Sequence, residues 1–300
     1  MEEVEYFEPK SVAEACALLA ERENAKLLAG GASLGALLKS KLIFPEALVT
    51  LKSVPGLREI ERTPGGELRI GALCRHREIV ESPLLREHCS VLAEAGAKIA
   101  SPAIRNVGTI GGNICHGDPT ADFPPALIAL GAQLEVVGSG GTRVVPVREF
   151  FTDHYETVLS PDEIVVSIRI PPLPPRCGAA SLDLTKTHNS VAIVHVAALV
   201  GVDERGRCTH AGLGAGGVAS TPLHISEAAT LVGEPLSPAG IERVAEAAME
   251  QARPVSNSHA SASYRREMVG VLTRRALRAA WERAGKAPAD ISATRGREEP

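Results

Sequence analysis

The sequence predicts an α+β chain in two halves, and three observations carry that prediction. Strand-like and helix-like runs are mixed along the chain without strict alternation, which disfavours a doubly wound parallel sheet. The run Pro171-Pro172-Leu173-Pro174-Pro175 interrupts every regular pattern, because proline fixes φ and donates no backbone hydrogen bond. Beyond it, a long apolar run at 191–202 faces a strand partner at 208–216 across Asp203-Glu204-Arg205-Gly206.

Length and composition set the frame. A chain of 300 residues divides into two or three compact units with a substantial core. Aromatic residues are only 3% of the chain, so that core is expected to be mainly Ala, Val, Leu and Ile. A net charge of −4 gives no electrostatic reason to expect nucleic acid or an anionic membrane. No apolar run approaches the roughly 18–20 residues that cross a bilayer. Met1-Glu2-Glu3-Val4-Glu5 lacks the basic start and apolar centre of a signal peptide, so the expected location is cytoplasmic, with membrane contact at most peripheral. The cysteines are Cys16, Cys74, Cys89, Cys115, Cys177 and Cys208, none closer than fifteen residues to the next. That spacing builds no local zinc or iron–sulfur cluster and predicts buried free thiols, with no metal site.

Taken in order, residues 11–20 form the first helix, with Ser11 as its cap and Glu14 completing a capping box. Residues 26–29 form a short strand broken at Gly30-Gly31, and Ser33 is placed to cap a helix to 41. Strands follow at 47–51 and, after the turn Pro64-Gly65-Gly66, at 68–73. Between 75 and 100 the pattern is helical and interrupted at Pro83, with Leu92, Ala95 and Ile99 on one face. Residues 104–117 read as a glycine loop, followed by a turn at Asp118-Pro119 and an apolar run at 126–130. A hairpin is expected from 133–137 and 142–147 about Gly138-Ser139-Gly140-Gly141, then a strand at 164–170. The second half continues with helices at 225–231, 237–251 and 261–284. Gly285 and Pro288 end the last of these, and 286–300 is expected to be a mobile tail.

Several patterns carry chemistry, and each has a bland counterpart. Gly31-Ala32-Ser33-Leu34-Gly35 fits the G-x-S-x-G elbow of hydrolases, but only about 30 residues precede Ser33, too few for the strands and oxyanion loop that architecture needs. The bland reading is a glycine turn. Gly212, Gly214, Gly216 and Gly217 resemble a dinucleotide fingerprint, but Thr221-Pro222 interrupts before a helix can open. Cys115, His116 and Asp118 are neighbours on a glycine-bounded loop, where side chains need not converge on a metal or act as a nucleophile. The two glycine segments Ala29 through Ser33 and Thr109 through Asn113 are more informative together. A diphosphate bearing a bulky group at each end needs N–H donors from more than one side, and glycine permits close backbone approach. Asp122 then becomes an acceptor for cofactor hydroxyls.

Three blocks resemble a known family. They are Ala29-Gly30-Gly31-Ala32-Ser33-Leu34, then Ser101-Pro102-Ala103-Ile104-Arg105-Asn106-Val107-Gly108-Thr109-Ile110-Gly111-Gly112-Asn113, then Gly117-Asp118-Pro119-Thr120-Ala121-Asp122. Tyr6-Phe7-Glu8-Pro9-Lys10-Ser11 and Ser263-Tyr264-Arg265-Arg266-Glu267-Met268 extend the likeness over nearly the whole chain. Together they resemble the FAD-binding medium subunit of the molybdenum hydroxylases, the xanthine dehydrogenase and aerobic carbon monoxide dehydrogenase family. The resemblance implies a two-part FAD-binding domain of the vanillyl-alcohol-oxidase type over 1–175 and a smaller C-terminal α+β domain over 176–285. It implies that Ala29, Gly30, Gly31, Ala32, Ser33 and Leu34, with Thr109, Ile110, Gly111, Gly112 and Asn113, hold the FAD diphosphate, and that Asp122 reaches its ribityl or ribose region. It places Ile99 and Ile164 or Val165 near the flavin ring. It implies electron transfer and no catalytic acid or base: a molybdopterin-binding large subunit oxidises substrate, and a small subunit passes electrons through two [2Fe-2S] clusters to FAD. Reduced flavin then serves quinone, NAD or oxygen, and the expected assembly is a dimer of heterotrimers. A stand-alone flavin-dependent oxidase or reductase of related fold is the alternative. One segment departs from the family pattern. Ahead of 191 the family shows a lysine, a basic pair and an aspartate, whereas this chain has Leu182, Lys186, His188, Asn189 and Ser190. Lys186 is the expected replacement for one of the basic residues.

Overall fold

The computed structural model describes residues 4–187 and 190–285. The expected tail at 286–300, and His188 and Asn189 of the atypical segment, lie outside the described residues.

The first layer is small. It runs β1 (Glu5–Phe7), α1 (Val12–Glu21), β2 (Ala25–Leu28), α2 (Ala32–Lys39) and β3 (Ala47–Thr50). The three strands are parallel in the order β1-β3-β2. Ser11 caps α1 as expected: its hydroxyl accepts from the Glu14 amide at 3.1 Å, and the Glu14 carboxylate accepts from the Lys10 amide at 2.7 Å. Ala15, Cys16 and Leu19 then recur on one helical face and bury against Val49 and Leu51.

The second layer is antiparallel and holds the main core. Its elements are β4 (Ile60–Arg62), β5 (Leu68–Gly71), α3 (His76–Glu81), α4 (Pro83–His88), α5 (Ser90–Lys98), α6 (Pro102–Arg105), α7 (Ile110–Cys115) and α8 (Phe123–Ala129). They continue with β6 (Gln133–Gly138), β7 (Gly141–Pro146), the hairpin β8 (Phe151–Asp153) and β9 (Glu156–Thr157), and β10 (Ile164–Ile170). The sheet order is β4-β5-β10-β6-β7, with the expected hairpin pairing Val136 to Arg143. The segment 110–115 is a short helix rather than a loop, because Thr109 caps it: the Thr109 hydroxyl accepts from the Gly112 amide at 3.2 Å.

The third layer comprises β11 (Cys177–Leu184), β12 (Val194–Val202), β13 (Cys208–Gly216), β14 (Leu223–His224), a 3-10 turn (Ser226–Leu231), α9 (Pro238–Gln251) and α10 (Ala262–Gly285). Its sheet is antiparallel in the order β11-β12-β13-β14. Every residue of β12 is buried, because helices cover both faces. The strand alternates between two cores: Val194, Val196, Ala198 and Val200 pack with α9 and α10, while Ala197 and Leu199 join the main core beneath α8. β11 had no signal of its own in the sequence.

The glycines of β13 explain that second contact and remove the dinucleotide-fingerprint reading. A Cβ on Gly212 would lie 2.1 Å from the Ala129 carbonyl oxygen, and one on Gly214 would lie 2.2 Å from that of Pro125. Alternate residues of a strand share a face, so these glycines form a bare strip on which the α8 backbone rests. At the other end, buried Arg265 ties α10 to the sheet. Its guanidinium donates to the carbonyls of Ile193 at 2.5 Å and Gly217 at 3.0 Å, and to Asn257 Oδ1 at 3.0 Å.

Candidate functional site

The turn from β2 into α2 is shaped to receive an anion. Gly30 passes so close to residues 107–108 that a Cβ would lie 1.8 Å from the Val107 carbonyl oxygen. Gly31 takes φ +72° as the N-cap of α2, and no side chain caps that helix. Ser33, expected as the cap, instead sits exposed in the first turn. The consequence is electrostatic. Among the described residues, the amides from Gly30 to Leu34 donate to no protein acceptor, and the positive end of the helix dipole points the same way.

The second glycine segment lies beside the first: a Cβ on Gly112 would be 3.8 Å from the Ala29 Cβ. Its amides, however, are already engaged. Ile110 donates to the Cys74 carbonyl at 3.0 Å, Gly111 to that of Ala72 at 2.9 Å, and Asn113 to that of Thr109 at 2.9 Å. The expectation that both segments offer N–H groups is therefore corrected. α2 supplies the free amides, and α7 supplies a surface of small residues plus the polar side chains of Thr109 and Asn113. The Asn113 Oδ1 is buried and has no partner among the described residues.

Beyond α7 lies a polar cluster that the sequence did not reveal. Asp122 stands at the N-cap of α8, and its carboxylate makes no capping bond. Lys98, at the end of α5, places Nζ 2.5 Å from Asp183 Oδ1 and 2.8 Å from the Ser181 carbonyl. His195 is fully buried, with Nε2 2.8 Å from Ser181 Oγ and Nδ1 unpartnered, 4.0 Å from Asp122 Oδ1. Burial foremost, and the Lys98 charge after it, push the His195 imidazole down to about 4, so it is neutral and forms no ion pair with Asp122. Burial foremost, and the Asp183 charge next, push the Asp122 carboxyl up to about 7, against the opposing pull of Lys98.

Two family models cover most of the chain. One, described as the FAD binding domain in molybdopterin dehydrogenase, matches residues 2–173. The other, the CO dehydrogenase flavoprotein C-terminal domain, matches residues 183–280. The chain belongs to the molybdopterin dehydrogenase FAD-binding family. It is 37% identical to the carbon monoxide dehydrogenase medium chain of Afipia carboxidovorans, over 93% of this chain and 97% of that one. It is 36% identical to the 6-hydroxypseudooxynicotine dehydrogenase complex subunit alpha of Paenarthrobacter nicotinovorans, over 93% and 95%. A solved carbon monoxide dehydrogenase from Hydrogenophaga pseudoflava, lacking the Mo-pyranopterin moiety of its cofactor, superposes with a TM-score of 0.90 at 36% identity. It covers 94% of this chain and 98% of that one. The α+β class holds, and FAD is the cofactor of this family.

The residues present fit FAD. The open amides of α2 suit a diphosphate, and the orphaned Asn113 Oδ1 and uncommitted Asp122 carboxyl suit hydroxyl or amide groups beyond it. Ile164 is 0% exposed inside the core of the first layer, and Val165 is 3% exposed inside the main core, so neither offers a ligand more than a sliver of surface. Ile99 is also largely covered, but its carbonyl and that of Ala100 both accept from Arg105 Nη1 at 2.7 Å, which fixes the chain beside Lys98. Lys186 is exposed and donates to the Ser258 carbonyl at 2.8 Å. Burial pushes the Cys115 thiol up to about 12, which leaves it protonated and unreactive at neutral pH. Ser33 has no histidine partner among the hydrogen bonds of the described residues, so the nucleophile elbow has no base.

The Asp122 environment has a measurable consequence. Its carboxyl is raised from the ordinary 3.8 to about 7, so the folded chain keeps a proton that the unfolded chain releases between those values. The stability it contributes is fully present below the unfolded pKa and is lost as pH rises through the folded one. Asp122→Asn is therefore expected to raise the melting temperature of the FAD-free protein most at pH 8 and distinctly less at pH 5. Equal shifts at both pH values in thermal melts would show that Asp122 ionises normally.

Proposed function

We propose that this chain is the FAD-carrying electron-transfer subunit of a molybdenum hydroxylase complex acting in the cytoplasm. In this reading it takes electrons from the [2Fe-2S] clusters of a small partner subunit, which receives them from a molybdopterin-binding large subunit, and passes them to an external acceptor. The assembly is a heterotrimer or a dimer of heterotrimers. Residues 1–175 form the FAD-binding unit and 176–285 the C-terminal unit. The observation that carries the reading is the uncapped start of α2, with its free amides from Gly30 to Leu34, set against the small-residue surface of α7.

Ala29, Gly30, Gly31, Ala32, Ser33 and Leu34 would hold the diphosphate through main-chain N–H groups. Thr109, Ile110, Gly111, Gly112 and Asn113 would form the opposing wall, and Asp122 would bind cofactor hydroxyls. Bound FAD supplies redox chemistry, whereas the protein supplies binding, orientation and charge. No helix of the described residues is long and apolar enough to cross a membrane. The relatives named as a medium chain and as a complex subunit support partner chains.

The test is expression at native level followed by affinity purification. The expected product is yellow, releases FAD on denaturation, and brings down a molybdopterin protein and a [2Fe-2S] protein. Recovery of the FAD-loaded chain alone, with its own turnover of a reduced substrate, would favour the stand-alone oxidase or reductase instead.

A further inference from the structure

One buried side chain beside the candidate site carries a polar atom that the fold does not use. His76, the first residue of α3, is 4% exposed, and its Nδ1 is buried with no partner among the described residues. A buried polar group without a partner weakens a fold, so an apolar side chain of similar volume would serve packing better. Burial foremost, and the Arg105 charge after it, push the imidazole down to about 4, which leaves it neutral. The ring stands between two segments of the candidate site. On one side it packs against Phe123, the residue after Asp122, with ring centroids 5.3 Å apart. On the other its Cδ2–Nε2 edge abuts Gly108, where a Cβ would lie 2.6 Å from Nε2 and 2.8 Å from Cδ2. The His76 amide also donates to the Gly108 carbonyl at 3.0 Å. Gly30 in turn rests on this peptide: a Cβ on Gly30 would collide with the Val107 carbonyl oxygen and lie 3.1 Å from the Gly108 Cα. Phe123, His76, Gly108 and Gly30 thus form one row, from the start of α8 to the turn that leads into α2.

We propose that His76 is a positioning residue for cofactor binding: wedged between Phe123 and Gly108, it sets how far the Val107–Gly108 peptide reaches toward Gly30 and so the aim of the α2 amides. This inference rests on the FAD reading above, and within it only on the diphosphate lying at the start of α2. The wedge acts by shape. The peptide is tied from its other side, where the Gly108 amide donates to the Ile104 carbonyl at 2.7 Å. Gly108 has no side chain of its own to fill the gap, so the close-packed imidazole edge decides its height. Donors bind an anion well when held within about 0.5 Å of the productive geometry. A peptide free to settle into the space of a lost ring therefore lowers affinity without unfolding the chain.

Substitutions on the two sides of this contact should offset each other. His76→Ala opens space beside Gly108, and Gly108→Ala puts a methyl group where the imidazole edge stands. Gly108 has no positive φ, so the alanine adds no backbone strain. His76→Met keeps the volume and removes the unpartnered Nδ1, which guards against a chain that fails to fold. On the full chain, affinity for FAD is measured by flavin fluorescence. Affinity for ADP, which carries a diphosphate without the flavin, is measured by calorimetry at a temperature where every variant is folded. His76→Ala and Gly108→Ala are each expected to lower both affinities about tenfold. His76→Met is expected to melt no lower than the wild type and still bind both about fivefold more weakly. Adding Gly108→Ala to His76→Ala is expected to regain at least about threefold, although the same substitution is harmful alone. Unchanged affinities in His76→Ala and His76→Met would overturn the role of His76 and leave the FAD reading standing. So would losses that simply add in the double variant, since the two residues would then act apart. A wild-type chain that binds neither FAD nor ADP would overturn both.

Discussion

Ser33→Asp is expected to abolish FAD retention while leaving the fold intact. Ser33 is exposed in the first turn of α2 and makes no capping bond, so a carboxylate there meets no packed neighbour. An acidic residue in the first turn interacts favourably with the helix dipole, by about 0.3–1 kcal/mol. The apoprotein should therefore melt at the wild-type temperature or slightly above it. The same carboxylate competes for the free amides between Gly30 and Leu34 and repels the diphosphate. Two like charges 4 Å apart at an effective dielectric constant of about 20 differ by roughly 4 kcal/mol from an uncharged pair. After screening, a loss of at least about 100-fold in FAD affinity is expected. Ser33→Asn has a similar shape without the charge and should keep most of the affinity. Equilibrium dialysis of both variants separates the two effects. Equal affinity for Ser33→Asp and the wild type would place the diphosphate elsewhere.

Much of this architecture was legible because it is locally encoded. The Ser11 cap of α1, the alternation of 164–170, the turn between 202 and 208, and the proline run after 170 each act through neighbouring residues. β11 was not legible, because its residues serve packing rather than strand propensity. Gly178 lies where a Cβ would meet the Ala280 carbonyl oxygen at 2.2 Å, so α10 demands a small residue where a strand would otherwise show a β-branched one.

The candidate site divides along the same line. Gly30, Gly31 and Thr109 through Asn113 stood out as glycine-rich motifs, and the structure brings the two segments together. What a motif does not show is which amides remain free. That depends on Cys74 and Ala72, which reach α7 through the end of β5. Asp122 ended one of the recognised blocks, whereas its neighbours Lys98, Ser181, Asp183 and His195 had no motif. The members of this cluster come from two helices and two strands, and the docking of α5 against β11 and of α8 against β12 makes them neighbours. A basic residue was sought within 182–190 because the departure from the family pattern lies there, and the structure sets Lys186 on the Ser258 carbonyl.

Gly212→Ala and Gly214→Ala test that seam directly, and each is expected to destabilise the protein by about 1–3 kcal/mol through overpacking. The added methyl groups would meet the carbonyl oxygens of Ala129 and Pro125 at 2.1 Å and 2.2 Å. These are main-chain atoms that no rotamer change can move, so α8 must lift from β13. The two substitutions share one response. Once the first has raised the helix, the second meets less resistance, and the double variant should lose less stability than the two singles added together. Strict additivity in chemical denaturation would mean that each site relaxes locally and that α8 does not move as a unit. Gly35→Ala supplies the opposite sign. It lies on the exposed helix α2 with no atom within 4 Å of the new Cβ, and helix propensity should stabilise it by up to about 1 kcal/mol. Lifting α8 also carries Asp122 away from Lys98 and Asp183, since Asp122 is the N-cap of that helix. The β13 variants should therefore weaken FAD binding as well, although neither glycine touches the proposed site.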